Sequence, residues 1–194
     1  MQRIGVLEAA EMTAASPVDV FLPAGQFYFG HGRVRVKTLL GTCVAITLWN
    51  PATQSGGMCH YLLPTRGRAQ ATADAAPGFY ADEVMGMFAD ELRAVGTSAS
   101  SYVVKVFGGG NMFPDHLSDP DCRNQSCDDA RRAKCPSVGC QNIRVAHELL
   151  QSRGFSIALE DVGGHGSRQL MFDVWSGDVW VRQGRAMAAI NGAS

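Results

Sequence analysis

Residues 38–64 read T-L-L-G-T-C-V-A-I-T-L-W-N-P-A-T-Q-S-G-G-M-C-H-Y-L-L-P. An alternating apolar run at 44–48 is followed by the turn-prone N-P-A-T-Q-S-G-G and by a second apolar run that ends at 62–63. This order predicts the two strands of a β-hairpin. Cys43 precedes the turn and His60 follows it, so a hairpin brings a thiol and an imidazole into the same neighbourhood.

The register of this hairpin decides whether Cys43 and His60 share a face, because side chains alternate along a strand. Any register in which paired residue numbers add to an odd value places both on one side, and an even value separates them. We expect Trp49 to pair somewhere between Gln54 and Met58. Opposed residues on one face have Cβ atoms about 5 Å apart, within reach of a thiolate–imidazolium contact. The hairpin is therefore a candidate cysteine–histidine dyad.

Two interpretations of this pair are possible from the residues alone. A cysteine in an apolar strand is also typical of a small buried hydrophobe, and a histidine near a strand end of a satisfied polar group. Gly41 and Thr42 favour catalysis, because such an approach exposes backbone N–H groups that bind an oxyanion. The N–H groups of Thr42 and Cys43 form the predicted oxyanion hole. His165 is an alternative base to His60, but it lies between glycines and is less firmly held than a histidine in a paired strand.

Further blocks of sequence accompany T-L-L-G-T-C-V-A and G-G-M-C-H-Y-L-L-P. They are K-V-F-G-G-G-N-M-F at 105–113, G-C-Q-N-I-R-V-A at 139–146 and a closing hairpin around Ser167 and Arg168. Together the five blocks resemble the CheD family, the chemoreceptor glutamine deamidases of bacterial chemotaxis. The resemblance extends over residues 15–183 in family order. It implies hydrolysis of a receptor glutamine side chain to glutamate, with release of ammonia.

The resemblance also implies roles for single residues. Cys43 is the expected nucleophile and His60 its partner, with a thioester as the intermediate. Pairing with the imidazole is expected to bring the Cys43 pKa below its ordinary value of about 8.5. The family orients its histidine with a threonine shortly before the cysteine, which matches Thr38 and leaves Thr42 as the competitor. The expected partners are chemoreceptor cytoplasmic domains and a CheC-type phosphatase.

The composition indicates one globular domain over residues 1–194, with 46% hydrophobic and 18% charged residues. A net charge of −1 and scattered basic residues argue against nucleic acid as a partner. The first 17 residues lack the basic and apolar regions of a secretory signal, and no apolar run approaches the roughly 18 residues of a spanning helix. We therefore expect a cytoplasmic protein without membrane insertion.

A charged, cysteine-rich insertion at about residues 114–140 departs from the family pattern. Four cysteines in it have the spacing C-x4-C-x7-C-x4-C, namely Cys122, Cys127, Cys135 and Cys140. Four thiolates can close a tetrahedral zinc site that orders such a loop. The x4 spacing is looser than that of the usual zinc knuckles, and free thiols or a redox pair are the alternative. Catalysis itself is expected to need no cofactor.

The remaining pattern predicts an α+β fold. Apolar residues recur at helical spacing over 79–95, and a second helix is expected over 143–153 with Asn142 as its cap. Eight to ten short strands accompany them, which favours two main helices packed on a mostly antiparallel sheet. The family resemblance implies a layered α/β sandwich. The glycines at 108–110 lack the motifs of phosphate-binding loops and predict a close backbone approach instead.

Two other function classes are compatible with this sequence. One is a receptor glutamyl methylesterase or amidase that uses the same dyad, because thioester chemistry serves a glutamyl ester equally well. The other is a non-catalytic chemotaxis adaptor that binds a CheC-type phosphatase and in which Cys43 is buried and inert.

Overall fold

The computed structural model describes residues 16–66, 78–112 and 135–184, which form two β-sheets and two α-helices. The strands are β1 (Val18–Phe21), β2 (Gln26–His31), β3 (Val34–Leu40), β4 (Val44–Asn50), β5 (Ser55–His60), β6 (Val103–Gly108), β7 (Ile157–Val162), β8 (Arg168–Asp173) and β9 (Val179–Gln183). The helices are α1 (Ala81–Ala94) and α2 (Val138–Ser152), and a 3-10 turn covers Ala99–Ser101.

The strands form a five-stranded sheet in the order β2-β5-β4-β6-β7 and a four-stranded sheet in the order β1-β3-β8-β9. Only β1 with β3 and β6 with β7 pair in parallel, and the other neighbours are antiparallel. The predicted α+β class and the mostly antiparallel sheet are confirmed. Neither described helix has the length and apolarity needed to cross a bilayer.

Strand β4 lies at the centre of three layers. Val44, Ile46 and Leu48 point from one of its faces into a core that α1 and α2 close. Ala45 points from the other face into a second core, which the four-stranded sheet closes with residues such as Phe172. Full burial of an aliphatic side chain contributes about 1.5–3 kcal/mol. The layers are therefore held together through β4, and side chains that leave it on the Ala45 side lie between the two sheets.

Helix α1 packs on the five-stranded sheet through Met85, Phe88 and Leu92, as the helical spacing predicts. Gly96 ends it with φ +67°. The prediction that Val95 joins the buried face is wrong, because Val95 is the C-cap residue and is 50% exposed.

Helix α2 begins earlier than the sequence predicts. Its first residue is Val138 and Ser137 occupies the N-cap position, so the prediction that Asn142 caps the helix is wrong. Asn142 lies inside the helix and is fully buried. The last residues of the predicted insertion thus belong to α2, whereas residues 113–134 lie outside the described residues.

Gly57 of β5 faces the helical layer at a point where no side chain fits. An added Cβ would lie 2.4 Å from the Tyr28 carbonyl oxygen, 2.7 Å from the Phe29 ring and 3.2 Å from the Phe88 ring. Gly86 of α1 differs, because an added Cβ there meets nothing within 4 Å. The two glycines form a matched pair for testing this layer.

We expect Gly57→Ala to lower the free energy of unfolding by about 1–3 kcal/mol, because the methyl group overpacks the contact between β2, β5 and α1. Gly86→Ala is expected to raise it by up to about 1 kcal/mol, since glycine disfavours a helix interior. Urea denaturation of both variants measures the two changes. Equal stability of the two variants would contradict this packing.

Candidate active site

The hairpin of β4 and β5 has the register that the dyad requires. Trp49 pairs with Gly56, and the same register continues in the bridge between Val44 and Tyr61. Paired residue numbers therefore add to an odd value along the whole hairpin. The predicted hairpin and the predicted range of partners for Trp49 are confirmed.

In this register Cys43 and His60 are diagonal neighbours on one face. Cys43 falls opposite Leu62, two residues beyond His60. Cys43 packs against the core between the two sheets. Diagonal neighbours lie about 7–8 Å apart, a separation that longer side chains bridge. Cys43 is partly exposed and His60 is 4% exposed, so the histidine is the more deeply buried residue of the pair.

Thr38 contacts His60 from the other sheet. Its Oγ1 lies 2.8 Å from His60 Nδ1 and donates a hydrogen bond of 2.7 Å to the Leu22 carbonyl. A hydroxyl has a single proton. Because that proton goes to Leu22, the oxygen accepts from Nδ1–H, and the lone pair of the ring lies on Nε2. His60 Nε2 is buried and has no hydrogen-bond partner among residues 16–66, 78–112 and 135–184. Thr42, the competing candidate, lies beside the Cys43 sulfur instead.

Burial determines the charge of the pair. It lowers the pKa of His60 below the usual 6.5, and the nearby Leu22 carbonyl opposes this only in part. Burial also raises the pKa of the Cys43 thiol, against the smaller effects of the Thr42 hydroxyl and of its own N–H. Near neutral pH the free protein therefore holds a thiol beside an uncharged imidazole. This is the opposite of the expectation that the Cys43 pKa lies below its ordinary value.

Three successive carbonyl groups in the segment before β4 are fixed by hydrogen bonds. Backbone N–H groups of the glycine loop, residues 108–110, donate to the Gly41 carbonyl (2.9 Å) and the Cys43 carbonyl (2.7 Å). The Asn142 side chain donates to the Thr42 carbonyl (3.1 Å). The N–H groups of Thr42 and Cys43 have no backbone acceptor in residues 16–66, 78–112 and 135–184. The predicted close approach of the glycine loop is confirmed, and two adjacent donors stay available.

The histidines outside the hairpin have other surroundings. His147 of α2 lies 2.7 Å from Glu160 in a partly exposed contact. His31 is exposed at the end of β2. His165, the alternative base, lies in the turn before β8, where its backbone forms a bridge with Asn111. Its Nδ1 is buried and has no hydrogen-bond partner within the described ranges.

Two buried polar residues near the site were not predicted from the sequence. The sequence pattern predicts Asn142 only as a helix cap, and Arg168 only as part of the closing hairpin of the family. Arg168 pairs with Leu40 at the end of β3 and is 4% exposed. Its guanidinium bonds to Asp161 at 3.0 and 3.1 Å and to the Gly163 carbonyl at 2.7 Å. It thereby ties the turn after β7 to the segment that leads to Cys43.

The remaining described cysteines differ from Cys43. Cys59 is fully buried on the helical side of β5, and burial raises its pKa to about 12. Cys135 is disulfide-bonded, and Cys140 lies in the first turn of α2, where it is partly exposed. The other two residues of the predicted zinc site, Cys122 and Cys127, lie outside the described residues. A disulfide-bonded sulfur is not a thiolate ligand, and the zinc site stays a prediction.

Comparison with known proteins identifies the family. Residues 62–183 match the family model described as CheD chemotactic sensory transduction. The chain belongs to the CheD family. It is 40% identical over 163 residues to the probable chemoreceptor glutamine deamidase CheD 3 of Dechloromonas aromatica, covering 84% of this chain and 86% of that protein. The match to the family model begins after His60, so it does not itself assign roles to Cys43 and His60.

Other CheD relatives are similar over the same length. The probable chemoreceptor glutamine deamidase CheD 2 of Albidiferax ferrireducens is 39% identical, with 86% of this chain and 88% of the relative covered. The CheD protein of the same description from Pseudomonas syringae pv. syringae is also 39% identical, with 88% and 87% covered. Among solved structures, the hypothetical protein YfiH of Bacillus licheniformis aligns with a TM-score of 0.39 and 11% sequence identity. The alignment covers 67% of this chain and 47% of YfiH. This similarity is too low to support a functional comparison.

The pH dependence of alkylation tests the uncharged pair. We expect the rate at which iodoacetamide modifies Cys43 to be low at pH 7 and to rise with an apparent pKa above 8.5, because burial disfavours the thiolate. Mass spectrometry of the peptide that contains Cys43 separates this thiol from the other cysteines. A rapid rate that stays constant from pH 6 to 8 would indicate a thiolate–imidazolium pair instead.

Proposed function

We propose that this CheD-family chain is a protein-glutamine deamidase that converts glutamine side chains of chemoreceptor cytoplasmic domains to glutamate, through a thioester on Cys43. The observation that carries the proposal is the state of His60. Its Nδ1 is held by Thr38, while its Nε2 is buried on the same face as the thiol and has no partner in the part of the chain that the structure describes. The names of the curated relatives support the substrate class.

His60 acts as a general base in the first step. Nε2 accepts the thiol proton as the sulfur attacks the amide carbon of the substrate glutamine. The carbonyl oxygen becomes an oxyanion, to which the N–H groups of Thr42 and Cys43 donate. The imidazolium then gives its proton to the amide nitrogen, and ammonia leaves. The product of this step is a glutamyl thioester on Cys43.

Water completes the reaction in the second step. His60, neutral again, removes a proton from water as its oxygen attacks the thioester carbon. A second oxyanion forms at the same two N–H groups and collapses as the C–S bond breaks, and the proton returns to sulfur. The net change is glutamine plus water to glutamate plus ammonia.

The proposed base, His60, has to be uncharged at the start of the reaction, and a threonine is a suitable partner for such a histidine. A hydroxyl that accepts from Nδ1–H fixes the tautomer and the plane of the ring without adding a negative charge. A carboxylate in that place would raise the pKa of the imidazole. The lowered pKa of His60 keeps Nε2 available as a proton acceptor at neutral pH.

We expect Cys43→Ala to abolish glutamine-to-glutamate conversion while the protein stays folded, because no other group in the site forms the thioester. Conversion is measured by mass spectrometry of peptides from a receptor cytoplasmic domain, and folding by circular dichroism. Cys59→Ala is the matched control, since Cys59 lies on the opposite face of the hairpin. Conversion by Cys43→Ala at the parental rate would exclude this mechanism.

Thr38→Val is expected to reduce deamidation by about 10²-fold, because His60 loses the group that fixes its tautomer and orientation. The change also removes the hydrogen bond that Thr38 donates to the Leu22 carbonyl and costs about 1–3 kcal/mol of stability. Thr47→Val is the control, as Thr47 is a buried threonine of β4, whereas the His60 Nδ1 contact is made by Thr38. Steady-state rates on receptor peptides measure both variants, and equal rates would argue against a role for Thr38.

The proposal includes the cytoplasm as the place of action, because the substrate glutamines belong to receptor cytoplasmic domains. It also retains a CheC-type phosphatase as a partner, which the family resemblance implies. Added phosphatase is expected to change the deamidation rate of this chain on receptor peptides.

A further inference from the structure

Asn142 connects the two segments that hold the proposed dyad. Its Nδ2 donates to the Thr42 carbonyl at 3.1 Å and to the Leu62 carbonyl at 2.8 Å. Thr42 directly precedes Cys43, and Leu62 follows His60 by two residues. A single amide group on α2 thus holds the ends of both strands of the hairpin at the point where the thiol and the imidazole lie.

The bond to Thr42 determines where one proposed oxyanion donor points. The Thr42 carbonyl and the Cys43 N–H belong to the same planar peptide group, and in a trans peptide these two bonds point in opposite directions. Because the carbonyl is directed at Asn142, the N–H is directed away from α2. If this peptide rotated, the Thr42 carbonyl would replace the donor and repel an oxyanion.

Contacts of its main chain and of the first turn of α2 fix the position of Asn142. The Tyr61 hydroxyl donates to its main-chain carbonyl at 2.8 Å. The first turn of α2 also contacts the glycine loop, since an added Cβ on Gly139 would lie 2.6 Å from the Gly109 carbonyl oxygen. The residue is fully buried, and none of the described residues hydrogen-bonds to its Oδ1. An apolar residue would avoid that unsatisfied oxygen, so the contribution of Asn142 lies in its two N–H bonds.

We propose that Asn142 is the positioning residue of the oxyanion hole, which it keeps formed in the free protein by fixing the Thr42–Cys43 peptide. This inference rests on the proposed deamidase function. Asn142 does not touch the reacting atoms. It acts through the backbone of the nucleophile's own segment, and its loss affects only chemistry that passes through an oxyanion.

Two reactions of the same thiol separate this role from a general structural one. Deamidation passes through a tetrahedral oxyanion. Alkylation by iodoacetamide forms the S–C bond as iodide leaves, without an oxyanion. We expect Asn142→Ala to lower kcat for deamidation by about 10²-fold with little change in KM. The rate and pH profile of Cys43 alkylation are expected to match those of the parent.

Asn142→Leu provides a second variant that leaves no cavity. A leucine side chain has nearly the same shape but donates no hydrogen bond to either carbonyl. It is expected to lose deamidation at least as strongly as Asn142→Ala. Thermal unfolding of each variant verifies that rates are measured on folded protein.

Tyr61→Phe is the matched control for disturbance of this region. It removes the hydrogen bond to the Asn142 main chain but leaves both Nδ2 bonds in place. We expect a lower melting temperature together with a deamidation rate within about threefold of the parent.

The outcomes distinguish this inference from the function on which it rests. Deamidation by Asn142→Ala and Asn142→Leu near the parental rate would overturn the inference and leave the function intact. Parallel losses of deamidation and alkylation would also overturn it, because they indicate a general distortion of the site. A parent protein that does not deamidate receptor peptides would overturn the proposed function and this inference together.

Discussion

The pairing of β4 with β5 is the constraint on which the site depends. Both faces of β4 are buried. A slip of one residue would move Ile46 and its neighbours on the same face out of the helical core, and would move Ala45 and the residues on the other face into it. Near the turn, β5 approaches β4 so closely that position 56 has no room for a side chain, because an added Cβ on Gly56 would lie 2.2 Å from the Leu48 carbonyl oxygen. The contacts that stabilise the fold thereby place the thiol and the imidazole on one face.

The second sheet completes the arrangement that the hairpin begins. Thr38 contacts His60 because β3 lies across the core between the two sheets from β5. The hydrogen bond that Thr38 donates to the Leu22 carbonyl orients its hydroxyl group. The site therefore draws on both sheets, and on α2 through Asn142. Such a site is rigid because each of its parts belongs to a layer that is packed for other reasons. The uncharged state of the dyad has the same origin, since the packing that positions His60 also removes it from water.

Much of this arrangement could be predicted from the sequence. The alternation of apolar residues and the turn predict the hairpin. The alternation of side chains allows two kinds of register, one with Cys43 and His60 on the same face and one with them on opposite faces. The packing of β4 in the structure determines which of the two occurs. Thr38 came from family resemblance, because no local pattern links a residue of one sheet to a histidine of another. Asn142 was assigned wrongly, since asparagine before an apolar helical run is typical of a cap and its real partners are 80 and 100 residues away in the chain. The direction of the Cys43 pKa shift was wrong because it depends on burial, which the sequence does not report.

The raised pKa of Cys43 has a consequence beyond catalysis. Peroxides attack thiolates far faster than thiols, and sulfenic acid formation follows thiolate character and exposure. In the proposed mechanism the Cys43 thiol stays protonated until His60 removes its proton, and a protonated thiol is a poor target for oxidants while the protein is idle. A cysteine that is permanently ionised would lack this protection.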